Sequence, residues 1–298
     1  MNKNYKIVQL KLDIIFKRVF GNEKNEKIIS AFLSDLLEIP RESIKSVYIN
    51  NVELAPEYIE RKFSRLDLKL NVDGRIVNIE MQVNREMDFK ERSLFYWSKL
   101  YSDELGAGEE YSTLKQTICI NIINFNLFEC EDYHSHFKVM ENDRKEVLTD
   151  KFAIHFFELK KLSKFRKNNR MEDWLKLINA ETEGELMELQ QTTNIPEVQD
   201  TIVMIRHLSA DEKIRQEAFY REKQIHDEAS ALNSARREGM AEGEAIGIVK
   251  GRAEGRAEGK AEGRAEGRAA ARHAIAETMR KKGYTEKEIV ELIGDDNV

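Results

Sequence analysis

The sequence predicts an α/β fold in which helices flank a mixed central sheet, with a helical extension at the C-terminus. Residues 66–82 alternate apolar and polar side chains on both sides of Asp73-Gly74, which is typical of a β-hairpin with a two-residue turn. Residues 117–125 (TICINIINF) are rich in β-branched side chains and predict a central strand covered on both faces. The order of helix, strands, helix and further strands indicates an α/β core.

The remaining elements of the core follow from the spacing of apolar residues. This spacing predicts helices over residues 10–20, 24–38 and 87–105, and strands over residues 44–52 and 152–159. Gly21 is a typical helix end, and Pro40 stops the second helix because proline lacks the backbone N–H. From about residue 160 the chain becomes helical in character.

The two-residue turn also predicts the register of the hairpin. It pairs Asp67 with Glu80 and Lys69 with Asn78, and these side chains share one face with Gln82. Like charges directly opposite each other are unfavourable, so the facing carboxylates indicate a cation between them, and Mg²⁺ suits such a site. The alternative is that this is the solvent-facing side of an antiparallel hairpin.

Several segments resemble one nuclease family in their order along the chain. They are LDIIFKRVFG at 12–21, FLSDLLEI at 32–39, IEMQ at 79–82, FKERSLFYWSKLYSDEL at 89–105 and ICINIINFNLF at 118–128. Together with Asp67 and the Glu80-x-Gln82 pattern, they resemble the Rpn-type recombination-promoting nucleases, the PD-(D/E)XK transposase-like family, over roughly residues 5–230.

The resemblance implies a restriction-endonuclease-like PD-(D/E)XK core and a DNA endonuclease that uses Mg²⁺, with Mn²⁺ as a substitute, on double-stranded DNA during recombination. It implies that Asp67 and Glu80 hold the metal with Asp13 as a third acid. Gln82 stands where the family pattern has lysine, so Lys69 or Lys99 is expected to supply the missing charge. Leu66 stands where many of these nucleases have proline.

Two of these assignments have structural alternatives. Asp13 is also explained as a first-turn acid that the helix dipole favours, paired with Lys17 one turn later. Arg92, Tyr96 and Lys99 recur at helical spacing and are expected to face a substrate phosphate, or else to form a solvated edge with Tyr96 half buried.

Composition sets limits on the class of protein. The net charge of −6 argues mildly against nucleic acid as a partner, although a local basic groove can exist on an acidic protein. No apolar run approaches a membrane span, no signal-peptide pattern opens the chain, and two cysteines make no disulfide framework. A cytoplasmic protein without membrane partners is expected. His134 and His136 are expected in a polar loop, without a zinc spacing to His155.

The C-terminal third is low in complexity. We expect a nuclease-like domain with a helical extension over 1–230 (core about 5–160), a Gly/Ala/Glu/Arg repeat as a helical linker over 231–269, and a small helical hairpin over 270–298. Glycine recurs every four residues in the linker, which favours a semi-rigid charged spacer. The alternatives are self-association, which would make a homo-oligomer through the repeat and hairpin, and an arm that touches nucleic acid.

Two functions remain at this point. The first is a metal-dependent DNA endonuclease. The second is a catalytically weak or inactive nuclease fold that serves as a DNA-binding or protein-assembly module. Asp67 and Glu80 favour the first, whereas Gln82 and the acidic composition favour the second. A transposase proper is not supported, because the acids of an RNase H-like integrase fold are not discernible.

Overall fold

The computed structural model describes residues 4–50, 68–85, 87–162 and 169–294. The chain divides into two compact units, Met1–Ala229 and Ser230–Val298. The first unit has the predicted α/β fold, with helices that flank a mixed sheet. The finer division into nuclease domain, linker and hairpin stays a prediction.

The sheet contains six strands in the described residues. They are β1 (Val47–Asn50), β2 (Leu68–Val72), β3 (Arg75–Gln82), β4 (Thr117–Ile123), β5 (His134–Phe137) and β6 (Phe152–Glu158), in the order β1-β2-β3-β4-β6-β5. β3, β4 and β6 are parallel to one another, and the other pairings are antiparallel. The predicted mixed sheet is therefore confirmed.

Helices cover the sheet and follow it along the chain. They are α1 (Asp13–Phe20), α2 (Glu26–Leu37), α3 (Phe89–Ser102), α4 (Arg170–Asn179), α5 (Glu183–Thr192), α6 (Pro196–Ala210), α7 (Glu212–Lys281) and α8 (Glu286–Ile293). Short 3₁₀ turns lie at Glu23–Asn25, Arg41–Ser43, Tyr111–Thr113 and Leu159–Lys161. None of the helices in the described ranges is long and apolar enough to cross a lipid bilayer.

The hairpin has the predicted turn and register. Asp73 and Gly74 have φ values of 52° and 80°, the positive values that a turn with two left-handed central residues requires. Lys69 pairs with Asn78, and Leu68 pairs with Ile79. The apolar residues of both strands therefore lie on one face of the sheet.

An aromatic cluster organises the core on that apolar face. The rings of Phe20 and Phe32 lie 4.6 Å apart, and Trp174 of α4 meets Phe32 edge-on at 5.5 Å. All three side chains are fully buried. The indole N–H of Trp174 donates to Asp35 at 2.8 Å, which satisfies its polar atom at the rim of the core.

The opposite side of the sheet carries Asn78, Glu80, Cys119 and Asn121, and we call it the α3 face because α3 packs on it. The ring of Phe89 meets Phe156 at 6.2 Å, and the indole of Trp97 donates to the Thr117 carbonyl at 2.8 Å. A single helical stripe of α3 faces the strands. Residues 89, 93, 96 and 100 are therefore buried, whereas the apolar residues 94 and 95 are exposed.

The second unit contains residues 230–281 of α7, followed by α8. The glycines of the repeat, from Gly239 to Gly267, all lie within helix. Gly283 has a φ of 90° after the end of α7, and Thr285 caps α8 with the predicted capping box to Glu288. Ile289 of α8 is fully buried, so the short terminal helix has an apolar contact face.

Candidate active site

β3 places Glu80 and Gln82 in its last three residues, on the α3 face. Glu80 is only 7% exposed, because β3 lies between β2 and β4 inside the sheet and α3 packs on this face. The alternative interpretation, a solvent-facing side of a hairpin, is wrong for Asn78 and Glu80, which are buried, while Lys69 and Gln82 are half-buried. Apolar and polar residues alternate in a half-exposed hairpin, and they alternate in the same way in a central strand with buried polar residues. The sequence pattern therefore does not distinguish the two structures.

The carboxyl ends of the three parallel strands lie in register at this edge. Gln82 of β3 is level with Ile123 of β4, which in turn is level with Glu158 of β6. Crevices outside the carboxyl ends of parallel strands are where ligands bind in open α/β sheets. The predicted site residues Glu80 and Gln82 therefore lie at an edge of the sheet where a ligand can bind.

Gln82 is held at both ends of its amide. Its Oε1 atom accepts a hydrogen bond from Nη2 of Arg92 at 3.0 Å, and its Nε2 atom donates to the Asn84 carbonyl at 3.0 Å. This pair assigns the orientation of the amide, since only the oxygen can accept from a guanidinium. Sequence reasoning did not find the Arg92–Gln82 contact, because ten residues and a change of element separate the two.

Asp13 is linked to the same edge indirectly, through α7. Its Oδ1 atom accepts a hydrogen bond from Nε of Arg221 at 2.8 Å, and the side chain of Asn84 donates to the Ile225 carbonyl at 2.9 Å. Residues 221 and 225 are about one helical turn, or roughly 6 Å, apart. Asp13 therefore lies near the residues that follow β3. Its ion pair with Arg221 had no signal in the sequence.

The two expected lysines lie next to carboxylates. Nζ of Lys69 is 3.7 Å from Oε1 of Glu104, and Nζ of Lys99 is 3.7 Å from Oδ1 of Asp103. Lys69 shares the α3 face with Glu80, but its direct partner across the hairpin is Asn78. In the described part of the chain, neither polar atom of the buried Asn78 amide has a hydrogen-bond partner.

The three expected phosphate contacts lie on α3 but differ in burial and in their neighbours. Arg92 lies at Gln82, with its guanidinium 5.9 Å from the ring centroid of Tyr96. Tyr96 is 6% exposed and serves mainly as a packing surface, while Lys99 lies two helical turns beyond Arg92. The structure therefore brings Arg92 and Tyr96 together and places Lys99 farther along α3.

The charge of Glu80 affects its neighbours on the α3 face. Burial raises the pKa of the Cys119 thiol far above its usual range, and the negative charge of Glu80 raises it further. Cys119 therefore stays protonated and is a poor nucleophile. The functional groups at the end of β3 are therefore the carboxylate of Glu80, the amide of Gln82 and the guanidinium of Arg92, with the Asp13 carboxylate linked through α7.

Asp67 precedes β2 and lies outside the described residues, so its expected pairing with Glu80 stays a prediction. Among the residues that are described, no three His, Cys, Asp or Glu side chains are grouped to hold a metal ion. The expected metal set of Asp67, Glu80 and Asp13 includes a residue beyond those ranges and also stays a prediction.

A cluster of three histidines lies elsewhere on the sheet. The expectation that His134 and His136 lie in a polar loop is wrong, because both are on β5 and flank the buried His155 of β6. Nε2 of His134 lies 3.0 Å from Nδ1 of His155, and the ring of His136 stacks 4.0 Å from that of His155. The sequence hid this cluster because the two strands pair across a connection of fourteen residues, from 138 to 151.

The comparisons with known proteins give one match. Residues 10–235 match the family model described as PD-(D/E)XK nuclease family transposase, which covers well over half of the 298-residue chain. No curated protein and no solved structure matches the chain.

Proposed function

The chain belongs to the PD-(D/E)XK nuclease transposase family, and from this premise we propose that it is a divalent-metal-dependent endonuclease that hydrolyses phosphodiester bonds in double-stranded DNA. The observation that supports the proposal most is the set of predicted site residues at one end of β3. Glu80 and Gln82 lie in its last three residues on the α3 face, and Asp13 is linked to the same end through its ion pair with Arg221 and the bond of Asn84 to the Ile225 carbonyl.

The residues present fit a hard divalent cation. Glu80 and Asp13 offer carboxylate oxygens, which are the ligands that Mg²⁺ and Mn²⁺ prefer. The register expected from the sequence pairs Asp67 with Glu80, and on that expectation Asp67 offers a third carboxylate. A bound Mg²⁺ would supply polarisation of the scissile phosphate and activation of the attacking water.

Gln82, Lys69 and Lys99 have the remaining roles that the family pattern implies. Gln82 stands at the lysine position of the motif and contributes hydrogen bonds instead of charge. Lys69 shares its face of the sheet with Glu80 and also approaches Glu104 at 3.7 Å. We expect Arg92, Tyr96 and Lys99 of α3 to lie along the substrate backbone.

The family also suggests the setting of the reaction. We propose that the enzyme acts on recombining or mobile DNA in the cytoplasm, and that the second unit holds copies of the chain together as a homo-oligomer. Two active sites would allow both strands of a duplex to be cut. The net charge of −6 means that DNA binding must come from local groups such as those on α3.

A second candidate is a nuclease fold that binds DNA or assembles proteins without cutting. The absence of a motif lysine at Gln82 favours it, because an amide cannot stabilise developing charge as a cation does. This candidate predicts DNA retention by the purified protein with no nicking at any concentration of Mg²⁺ or Mn²⁺.

The deciding experiment is plasmid nicking by the purified full chain with Mg²⁺, with Mn²⁺ and with EDTA. Asp67→Asn and Glu80→Gln are the test variants, and Glu129→Gln at an exposed position is the matched control. We expect metal-dependent nicking in the wild type and control, and its loss in both test variants. Nicking that survives both substitutions would contradict this active site, and DNA binding without nicking would favour the second candidate.

A further inference from the structure

The electrostatics of the proposed site require a positive group beside Gln82. Cleavage of a phosphodiester builds negative charge on the phosphoryl oxygens, and positioned cations are the protein groups that best stabilise it. The site itself offers the carboxylates of Glu80 and Asp13 and the neutral amide of Gln82. A protein cation must therefore come from another element.

Arg92 is the cation that the described geometry brings to this position. Its Nη2 atom donates to Oε1 of Gln82 at 3.0 Å, from the first turn of α3. The bond to the amide fixes the guanidinium beside Gln82. The guanidinium also has five N–H donors in a planar fork that matches phosphate oxygens.

The guanidinium of Arg92 is held more firmly than that of a surface arginine. It lies 4.8 Å from the ring centroid of Phe89 and 5.9 Å from that of Tyr96, in the range of cation–π contacts. Both rings are buried, and Phe89 is in turn packed edge-on against Phe125 at 5.7 Å. An aromatic platform and the Gln82 amide thus restrict Arg92 from two sides.

Three other basic side chains are candidates for the same role. Arg221 is bonded to Asp13 at 2.8 Å, and Lys69 and Lys99 lie 3.7 Å from Glu104 and Asp103. Arg92 is distinguished from them by its hydrogen bond to Gln82, the residue at the lysine position of the motif.

We propose that Arg92 is a catalytic residue of this nuclease, which contacts the scissile phosphate, and that Gln82 is a positioning residue that fixes its guanidinium. This inference rests on the proposed nuclease function. In this proposal, Arg92 on the neighbouring helix supplies the positive charge that a lysine at position 82 supplies in the family pattern. A lysine introduced at position 82 should then replace the guanidinium.

The test compares Arg92→Ala, Arg92→Lys and the double variant Gln82→Lys with Arg92→Ala in the nicking reaction with Mg²⁺. Arg144→Ala is the matched control, because Arg144 is exposed and paired with Glu141 and Glu146 on a surface turn. Circular dichroism and the thermal midpoint of each variant establish that it is folded.

We expect Arg92→Ala to lower kcat about 100-fold with a smaller effect on KM, and Arg92→Lys to retain part of the activity. The double variant should recover at least about tenfold over Arg92→Ala, because it returns a charge to the same place. A merely structural role of Arg92 would not be rescued by Gln82→Lys.

Two outcomes would overturn the inference while the nuclease proposal stands. One is nicking by Arg92→Ala at the wild-type rate. The other is a folded Arg92→Ala variant whose lost activity Gln82→Lys does not restore. If the wild type does not nick DNA under any metal condition, the proposed function itself fails and the role of Arg92 fails with it.

Discussion

Nε of Arg221 donates to Oδ1 of Asp13 at 2.8 Å, although 208 residues separate them in the sequence. The contact ties the first turn of α1 to α7 beside the end of β3. Asp13 is thus either a potential metal ligand that Arg221 orients or half of an ion pair that only links two helices. The two roles predict different effects of replacing Asp13 and of replacing Arg221 on the Mg²⁺ dependence of nicking.

Asp13→Asn should raise the Mg²⁺ concentration for half-maximal nicking about tenfold or more, because a carboxylate ligand becomes a neutral amide. Arg221→Gln, which breaks the same ion pair from the other side, should not weaken the metal dependence, because it removes a positive charge from near the cation. Titration of nicking rate against Mg²⁺ measures both. Equal shifts in the two variants would show that the ion pair is structural.

Glu80→Gln should abolish the stabilisation of the fold by metal. A ligand that binds the native state at ten times its Kd adds about 1.4 kcal/mol, or roughly 3–6 °C in Tm for a domain of this size. We expect Mn²⁺ to raise the Tm of the wild type and of Glu129→Gln, but not that of Glu80→Gln. A Tm that rises equally in all three would place the bound metal away from Glu80.

The histidine cluster should make the fold sensitive to acid. Burial, together with the neighbouring His136, His134 and Lys138, lowers the pKa of His155 to about 3, while Glu38 faces the two histidines of β5. The unfolded chain takes up this proton near its ordinary pKa of 6.5, and the folded chain does so only near 3. Stability is therefore greatest above 6.5 and falls toward pH 3.

The contribution of His155 is about 1.4 kcal/mol per pH unit within that window. His155→Gln should reduce the slope of unfolding free energy against pH between 4.5 and 6.5 by roughly this amount. His273→Gln, at an exposed position, is the control and should leave the slope unchanged. Urea unfolding at several pH values measures it, and an unaltered slope in His155→Gln would contradict the assignment.

Replacement by alanine should have opposite effects on stability at two glycines. Gly74 has a φ of 80°, so Gly74→Ala strains the hairpin turn and should destabilise the first unit by about 1 kcal/mol. Gly259 lies in a helix with no atoms near its would-be Cβ, so Gly259→Ala should add about 1 kcal/mol to helix stability. Thermal unfolding and far-ultraviolet circular dichroism report the two effects. A stabilised Gly74→Ala variant would mean that the turn differs from the one described.

The features that the sequence determined by itself are those set by neighbouring residues. Asp73-Gly74 specified a two-residue turn, and the turn specified that Lys69 pairs with Asn78. Thr285 and Glu288 likewise specified the start of α8. These rules act over a few residues, because backbone dihedral preferences and local hydrogen bonds depend on little else.

The tertiary structure decided which polar residues are buried and which charges meet. Glu80 is buried because β4 pairs with β3 in parallel and α3 covers that side of the sheet, which no local pattern specifies. The contacts of Arg92 with Gln82 and of Arg221 with Asp13 join residues from different elements. Such contacts depend on how whole elements pack, so the candidate carboxylates could be named from the sequence, whereas the groups that orient them could not.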